Sequence, residues 1–157
     1  MNYRLIAWMS LGLWLATVVV FAVLFVRGST APATDGRRAI LLSPAERDLV
    51  LGEMRTMLTT VQGIAQGVHD NDLKRVAAAA RASGMQAAVD TNPALMAKLP
   101  LEFKQLGMSV HHGFDDLADA IDSGKAGRDE VLRQLGTQLV TCVACHQSFR
   151  IDPGPAQ

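Results

Sequence analysis

The stretch Cys142-Val143-Ala144-Cys145-His146, close to the C-terminus, decides the fold that we predict for this chain. Its pattern, C-x-x-C-H, is the attachment motif of a c-type haem. Thiols three residues apart lie on one face of a helical turn, so both can reach the vinyl groups along one edge of a porphyrin. His146 follows at the position from which an imidazole can bind the iron. The chain contains no other cysteine, so we predict one covalently bound haem c, with His146 as an axial iron ligand.

Two other uses of this cysteine pair fit the sequence less well. A thioredoxin-like pair follows a strand at a helix N-terminus, where the helix dipole lowers a thiol pKa, whereas this motif ends a long helical pattern. A structural zinc site uses four ligands, and this motif supplies three. We therefore favour haem attachment over both.

The N-terminal part of the chain has the composition of a membrane helix. Residues 5–26 contain no charged side chain, and at about 1.5 Å per residue such a helix spans the roughly 30 Å of bilayer hydrocarbon. A cleaved secretory signal is the alternative, but its apolar region is typically only about 7–15 residues long. We expect residues 1–27 to be an uncleaved transmembrane signal anchor.

The expected location follows from the haem and not from the flanking charges. Basic residues lie on both sides of the apolar run, with Arg4 before it and Arg27, Arg37 and Arg38 after it, so the positive-inside rule gives no orientation. In bacteria, haem is attached to C-x-x-C-H outside the cytoplasmic membrane. We therefore expect a single-pass protein of the bacterial inner membrane, with its haem domain in the periplasm.

Composition gives little sign of other functions. The chain has 15 basic and 15 acidic residues, and the part after residue 42 is mildly acidic, so nucleic acid is not an expected partner. The sequence has no glycine-rich phosphate loop and no recognisable Ser/His/Asp arrangement. We do not expect an enzyme.

The rest of the chain is predicted to be all-α. Residues 28–42 have no periodic apolar face and are expected to be a linker that buries nothing. Apolar residues then recur at spacings of three and four in four predicted helices, with no strand signal. These helices cover residues 43–70, 73–89, 101–122 and 128–150. We predict an antiparallel up-down-up-down four-helix bundle over residues 43–152, preceded by one transmembrane helix and followed by a tail, 153–157.

The first predicted helix of the bundle has clear start signals and a defined inner face. Ser43 is the expected N-cap, with Pro44 at the first position and Glu46 completing a capping box. Two overlapping apolar stripes along this helix share Met54 and Val61, which should therefore lie at the middle of the buried face. In the last helix the haem motif continues the face of the core leucines, so we expect the haem inside the bundle.

This arrangement resembles the class II cytochromes c, namely the cytochrome c′ group and its low-spin six-coordinate relatives. Residues 142–150 match the family ending C-x-x-C-H-x-x-[FY]-R, and the resemblance covers residues 43–150. It implies that Cys142 and Cys145 are the thioether positions and His146 the axial ligand. An uncleaved anchor departs from the commonly soluble members of the family.

The resemblance also implies a first-helix residue over the other face of the haem. That residue is methionine in the six-coordinate members and an apolar non-ligand in cytochrome c′. When the chain is aligned with the family without a gap, Leu51 occupies this position. When a longer first helix is allowed, Met54 occupies it, and Met57 is a third choice. We prefer Met54 because it is central to both stripes, although a core methionine that only fills space is the alternative. His111, at the expected core boundary, is a weaker candidate ligand.

Two functions of different classes follow. The first is a membrane-anchored electron carrier whose iron cycles between ferrous and ferric states and whose redox partner proteins dock near an exposed haem edge. The second is a five-coordinate haem module, with Leu51 above the iron, that binds nitric oxide or carbon monoxide. A structural or redox-sensing domain is a third possible function. Small residues in the second helix would permit a homodimer.

Overall fold

The computed structural model of this protein describes residues 3–88 and 92–154. Within them the chain is mostly helical, with an apolar N-terminal helix, six further helices and a small sheet of three strands. The helices are α1 Tyr3–Arg27, α2 Pro44–His69, α3 Leu73–Arg81, α4 Met85–Ala88, α5 Pro93–Lys98, α6 Leu101–Asp122 and α7 Arg128–Ser148. The strands are β1 Thr30–Pro32, β2 Arg38–Leu42 and β3 Phe149–Pro153.

Helix α1 is long and apolar enough to cross a membrane, with a mean hydropathy of 2.5 over its most apolar window. None of its residues is buried against the rest of the chain. A helix that exposes this much apolar surface needs an apolar surrounding, because removing that surface from water is the main driving force for burial.

The small sheet contradicts the prediction of an all-α fold. Strand β1 pairs antiparallel with β2, and β2 pairs in parallel with β3, so that Ile40 lies opposite Thr30 on one side and Ile151 on the other. The fourth predicted helix therefore stops at Ser148, and the chain continues as β3. A parallel partner more than a hundred residues away leaves no local hairpin signal in the sequence.

The prediction that residues 28–42 form a linker that buries nothing was also wrong. Strand β2 buries Ala39, Ile40 and Leu42 almost completely. Ile40 and Leu42 join Phe103 and Phe149 in one of the two apolar clusters of the protein. This segment is thus part of the domain core.

Residues 153 and 154 of the predicted tail belong to β3 and its end, and residues 155–157 lie outside the described part of the chain.

Three of the four predicted helices form close to their expected positions. Helix α2 begins with the expected capping box, in which the Glu46 amide donates to Ser43 Oγ and the Ser43 amide donates to Glu46 Oε2 at 2.9 Å. Helix α6 has the predicted bounds, and α7 begins at the predicted residue. Local capping and periodicity decide these elements, which is why the sequence predicts them well.

The predicted second helix is broken into α3 and α4. Between them Ser83 is buried, and its hydroxyl lies 2.7 Å from Thr60 Oγ1 on α2. The amide of Met85 donates to the Asp115 carboxylate on α6 at 2.8 Å. These contacts with neighbouring helices replace the bonds of a continuous helix. The predicted end of this helix, residue 89, lies outside the described residues.

The helices after the sheet surround a second apolar cluster. Its centre contains the fully buried side chains of Ile64, Val76, Phe114 and Val131, which come from α2, α3, α6 and α7 respectively. In sequence order, α2 packs on α3, α3 on α6, and α6 on α7, and α7 also contacts α2. The C-x-x-C-H motif lies at the end of α7, where Cys142 packs against one cluster and Cys145 against the other.

Candidate haem-binding site

The C-x-x-C-H motif forms the last turns of α7. Both Cys142 and Cys145 are partly buried, and each packs against a different apolar cluster. His146 is exposed, as is Val143 in the same part of the helix. The helical backbone thus keeps both sulfur atoms and the imidazole within one turn, as the attachment of a porphyrin requires.

Three cavities adjoin the motif in the space between α2 and α7. Their volumes are about 570, 170 and 100 Å³. The largest falls within the roughly 300–1,000 Å³ that is typical of cofactor pockets. Met54 on α2 and His146 on α7 line all three. We call this space the α2–α7 cleft.

The lining of the α2–α7 cleft is largely apolar. In the largest cavity the apolar residues are Leu51, Met54, Met57, Leu58, Val61, Phe114, Leu139 and Val143. Three of them, Leu58, Leu139 and Val143, are exposed in spite of their apolar character, with 69%, 39% and 55% of their surface accessible. Contiguous exposed apolar residues around a concave surface are typical of a ligand groove. The cleft therefore suits a flat apolar group attached at its α7 side.

All three residues predicted to face the haem from α2 lie in this cleft. Leu51 lines the 170 and 570 Å³ cavities, and Met57 lines the 570 and 100 Å³ cavities. Met54 lies between them in the sequence and lines all three, as His146 does. Of the three α2 residues, Met54 is therefore the one that adjoins every cavity of the cleft.

His111 lies at the inner edge of the cleft. It is buried on α6, lines the 100 Å³ cavity, and has Nδ1 2.9 Å from the carbonyl oxygen of Ser83. A carbonyl only accepts, so Nδ1 carries the hydrogen and Nε2 is left without one when the ring is neutral. This hydrogen bond supports the break between α3 and α4 and gives His111 a structural role.

The two thiols are not activated in the way that redox-active cysteine pairs are. Burial raises the pKa of the Cys145 thiol to about 11 and also raises that of Cys142. Catalytic thiols of C-x-x-C oxidoreductases have lowered pKa values instead. Among residues 3–88 and 92–154, no group of three or more His, Cys, Asp or Glu side chains is placed to hold a metal ion. Neither a thioredoxin-like site nor a structural zinc site is supported.

The sequence analysis did not find Arg37, which lies in the turn between β1 and β2. Its Nη1 donates to the backbone oxygen of His146 at 3.2 Å and to that of Phe149 at 3.4 Å. Its Nε and Nη2 donate to Asp35. These bonds lower the pKa of the Asp35 carboxyl to about 2. No local sequence pattern indicates this role of Arg37, because the backbone oxygens that it binds, those of His146 and Phe149, lie more than a hundred positions away.

Arg150 completes this charged group beside the cleft. It donates to Asp152 at 2.8 Å and to Asp35 at 3.1 Å. Both Arg37 and Arg150 line the 170 Å³ cavity together with His146. Two guanidinium groups at the rim of an apolar cleft could pair with the carboxylates of a bound cofactor.

Two aromatic rings close the cleft toward the sheet. Phe103 on α6 and Phe149 on β3 meet edge to face, with ring centroids 5.6 Å apart, and both line the 170 Å³ cavity. The Arg38 guanidinium lies 4.5 Å from the centroid of the Phe149 ring. Such pairs add about 0.5–1.5 kcal/mol beyond simple burial, so this wall is rigid.

Comparison of the chain with protein-family models, with curated protein sequences and with solved structures gave no match.

Proposed function

We propose that this protein is a membrane-anchored monohaem c-type cytochrome that carries electrons in the periplasm. One observation carries the proposal. Cys142, Cys145 and His146 from α7 and Met54 from α2 line the same apolar cleft. A covalently held haem supplies reversible one-electron chemistry at its iron.

The residues around the cleft have separate roles in this proposal. Cys142 and Cys145 hold the haem through thioether bonds, and His146 is the axial ligand on the α7 side. Met54 is the ligand on the α2 side, and a thioether at this position stabilises ferrous iron and raises the potential. Packing of α2, α3, α6 and α7 around one apolar cluster beside the cleft supports the up-down-up-down bundle of the class II cytochromes c, which these residues resemble.

The apolar lining also serves electron transfer. It excludes water from the cleft and so lowers the local dielectric constant, which disfavours the additional positive charge of the ferric state. Leu58, Leu139 and Val143 remain accessible at the mouth of the cleft. We expect a redox partner protein to approach there, because an exposed haem edge gives the shortest path for an electron.

Retention of α1 as an anchor is supported by its contact with the domain. The buried side chain of Lys104 on α6 donates through Nζ to the backbone oxygen of Phe25 in α1 at 3.1 Å. Cleavage after α1 would remove this acceptor and the Phe25 ring beside it. Only a chain that keeps α1 keeps this hydrogen bond and this ring contact, so an uncleaved anchor fits better than a secretory signal. We place the domain on the periplasmic side because haem attachment takes place there.

The proposal is tested by maturing the full chain in cells that have a haem-ligation apparatus. Pigment should stay with the denatured protein through extraction with acidified organic solvent, and its mass should increase by one haem. The Cys142→Ser/Cys145→Ser variant should lose this pigment. His146→Ala should alter the spectrum, whereas His112→Ala, which changes an exposed histidine of α6, should not. A wild-type chain without covalent haem, made beside a control cytochrome that matures normally, would contradict the proposal.

A five-coordinate module for nitric oxide or carbon monoxide is the second candidate, and the position of Leu51 favours it. Leu51 lines two of the three cavities in the α2–α7 cleft, and if it covered the iron a small gas could bind beside it. The spectrum of the ferrous protein separates the two functions. Sharp low-spin bands that carbon monoxide does not change support the electron carrier, whereas a broad high-spin Soret band that shifts with carbon monoxide supports gas binding.

A further inference from the structure

The connection between α1 and the domain is short and tightly held. Gly28 has a φ of +63°, and a Cβ at this position would lie 2.5–2.7 Å from the backbone of residues 98–100. The Ser29 amide donates to the Lys98 oxygen at 2.7 Å, and the Ser29 oxygen accepts from Leu41 at 2.8 Å. Strand β1 begins at the next residue. The described chain therefore has no free residue between the end of the helix and the sheet.

The end of α1 is capped by a side chain of the domain. The last carbonyl groups of a helix lack partners within the helix, and Lys104 Nζ donates to one of them, Phe25 O. The same ammonium group lies 3.4 Å from the centroid of the Phe25 ring and 3.4 Å from the Met96 oxygen. A cation at a helix C-terminus is favoured by the helix dipole, and more so where it is partly buried. Only 8% of the surface of Lys104 is accessible.

We propose that α1 and the domain form one rigid body, joined by Lys104 and by the backbone contact at Gly28, so that the domain keeps a fixed orientation on the membrane surface. This inference rests on the proposed retention of α1 as an anchor; the rigid joint does not depend on the haem, whereas the kind of redox partner argued below rests on the proposed electron transfer. In this arrangement the end of α5 and the start of α6 face the bilayer. A flexible tether would let the domain rotate and swing instead.

The fixed orientation also indicates the kind of redox partner. Phe103, next to Lys104 on α6, lines the α2–α7 cleft. A single turn of α6 therefore contacts both the cleft and the end of α1, at the end of the domain that lies next to the membrane. A donor or acceptor that is itself held in the membrane, and meets the cleft by diffusion in the membrane plane, fits this geometry better than a soluble carrier.

The test measures distances between two spin labels on the full chain in lipid nanodiscs. Gadolinium labels are attached at Leu13→Cys in α1 and Asp129→Cys at the start of α7, both exposed positions. Pulsed electron–electron double resonance should give a single narrow population of distances between the two labels. Lys104→Met, which keeps most of the unbranched side chain and removes the ammonium group, should lose that narrow population. Lys74→Met, at an exposed position in α3, is the matched control and should keep it.

Gly28→Val provides a second variant, since its side chain would press on the backbone of residues 98–100 and so disturbs the joint without removing Lys104. It should lose the narrow population as well. A broad distribution in the wild-type chain, or unchanged narrow distributions in both Lys104→Met and Gly28→Val, would overturn the proposal. Counting labels by mass separates this result from the haem proposal: two labels per chain mean that the native cysteines are consumed. Four mean that they are free, and the distances are then read in the Cys142→Ser/Cys145→Ser background, where only the two introduced cysteines carry labels. Mass analysis of the membrane-extracted chain shows whether α1 is retained.

Discussion

The guanidinium group of Arg37 lies 3.2 Å from the backbone oxygen of His146, 109 positions further along the chain. This bond joins the β1–β2 turn to the residue proposed as the axial ligand. It acts as a C-terminal cap of α7, because His146 contributes one of the last carbonyl oxygens of that helix. The segment between α1 and α2 thus supports the C-x-x-C-H motif directly.

Replacing Arg37 should loosen the end of α7. In Arg37→Gln the bonds to His146 O, Phe149 O and Asp35 are lost, and we expect the thermal unfolding midpoint to fall by a few degrees. The proposed His146–iron bond should weaken too, which a shift in the reduction potential would report. Arg128→Gln is the control, because Arg128 makes no ion pair within the described residues. Equal effects of the two substitutions would exclude a specific role for Arg37.

Removing the Met54 thioether should change the spin state of the iron. Met54 lines all three cavities of the cleft, as His146 does, so Met54→Ala should convert a low-spin ferric spectrum to a high-spin one and lower the potential. Met57→Ala removes the same side chain one turn later and should leave the protein low-spin. If the ferric spectrum of Met54→Ala stays low-spin with an unchanged potential, Met54 is not a ligand.

Truncating Ile40 tests whether the segment before α2 belongs to the core. Ile40 is completely buried in β2, and Ile→Ala at such a site costs about 2–5 kcal/mol of unfolding free energy. Leu41→Ala, at the next and less buried position of the same strand, should cost much less. Denaturant unfolding followed by circular dichroism measures both. A loss below about 1 kcal/mol for Ile40→Ala would mean that the strand packs loosely.

The pH dependence of stability should show the contribution of Glu46. Hydrogen bonds from Lys98, and then from Ser43, lower the pKa of this carboxyl from 4.5 to about 2. Because the folded state favours the charged form, the stabilisation is fully present above the unfolded pKa and is lost as the pH falls from about 4.5 to about 2. The difference in unfolding midpoint between the wild type and Glu46→Gln should be largest at neutral pH and vanish near pH 2.

A control carboxyl on α6 separates this effect from general acid unfolding. Asp116 is exposed and forms no ion pair with any residue in the described ranges, so Asp116→Asn should give a small difference that does not follow this pH profile. A Glu46→Gln difference that persists unchanged at pH 2 would show that the lost stability is not due to ionisation of Glu46.

The sequence by itself determined the features that depend on short-range physics. The C-x-x-C-H spacing, the Ser43–Glu46 capping box, the apolar helix α1 and the bounds of α6 all arise from interactions within a few residues. The two cysteines and His146 could be named as site residues for the same reason. The face of α2 that carries Met54 follows from its apolar periodicity, although that periodicity leaves Leu51 and Met57 as alternatives.

Only the tertiary structure decided the relationships between distant parts of the chain. The parallel pairing of β2 with β3, the bond from Arg37 to His146 and the capping of α1 by Lys104 join residues that are 111, 109 and 79 positions apart. The break between α3 and α4 depends on partners from α2 and α6 in the same way. A backbone or charged group bonds whatever partner the fold brings within about 3 Å, and no repeat or spacing in the sequence records that partner.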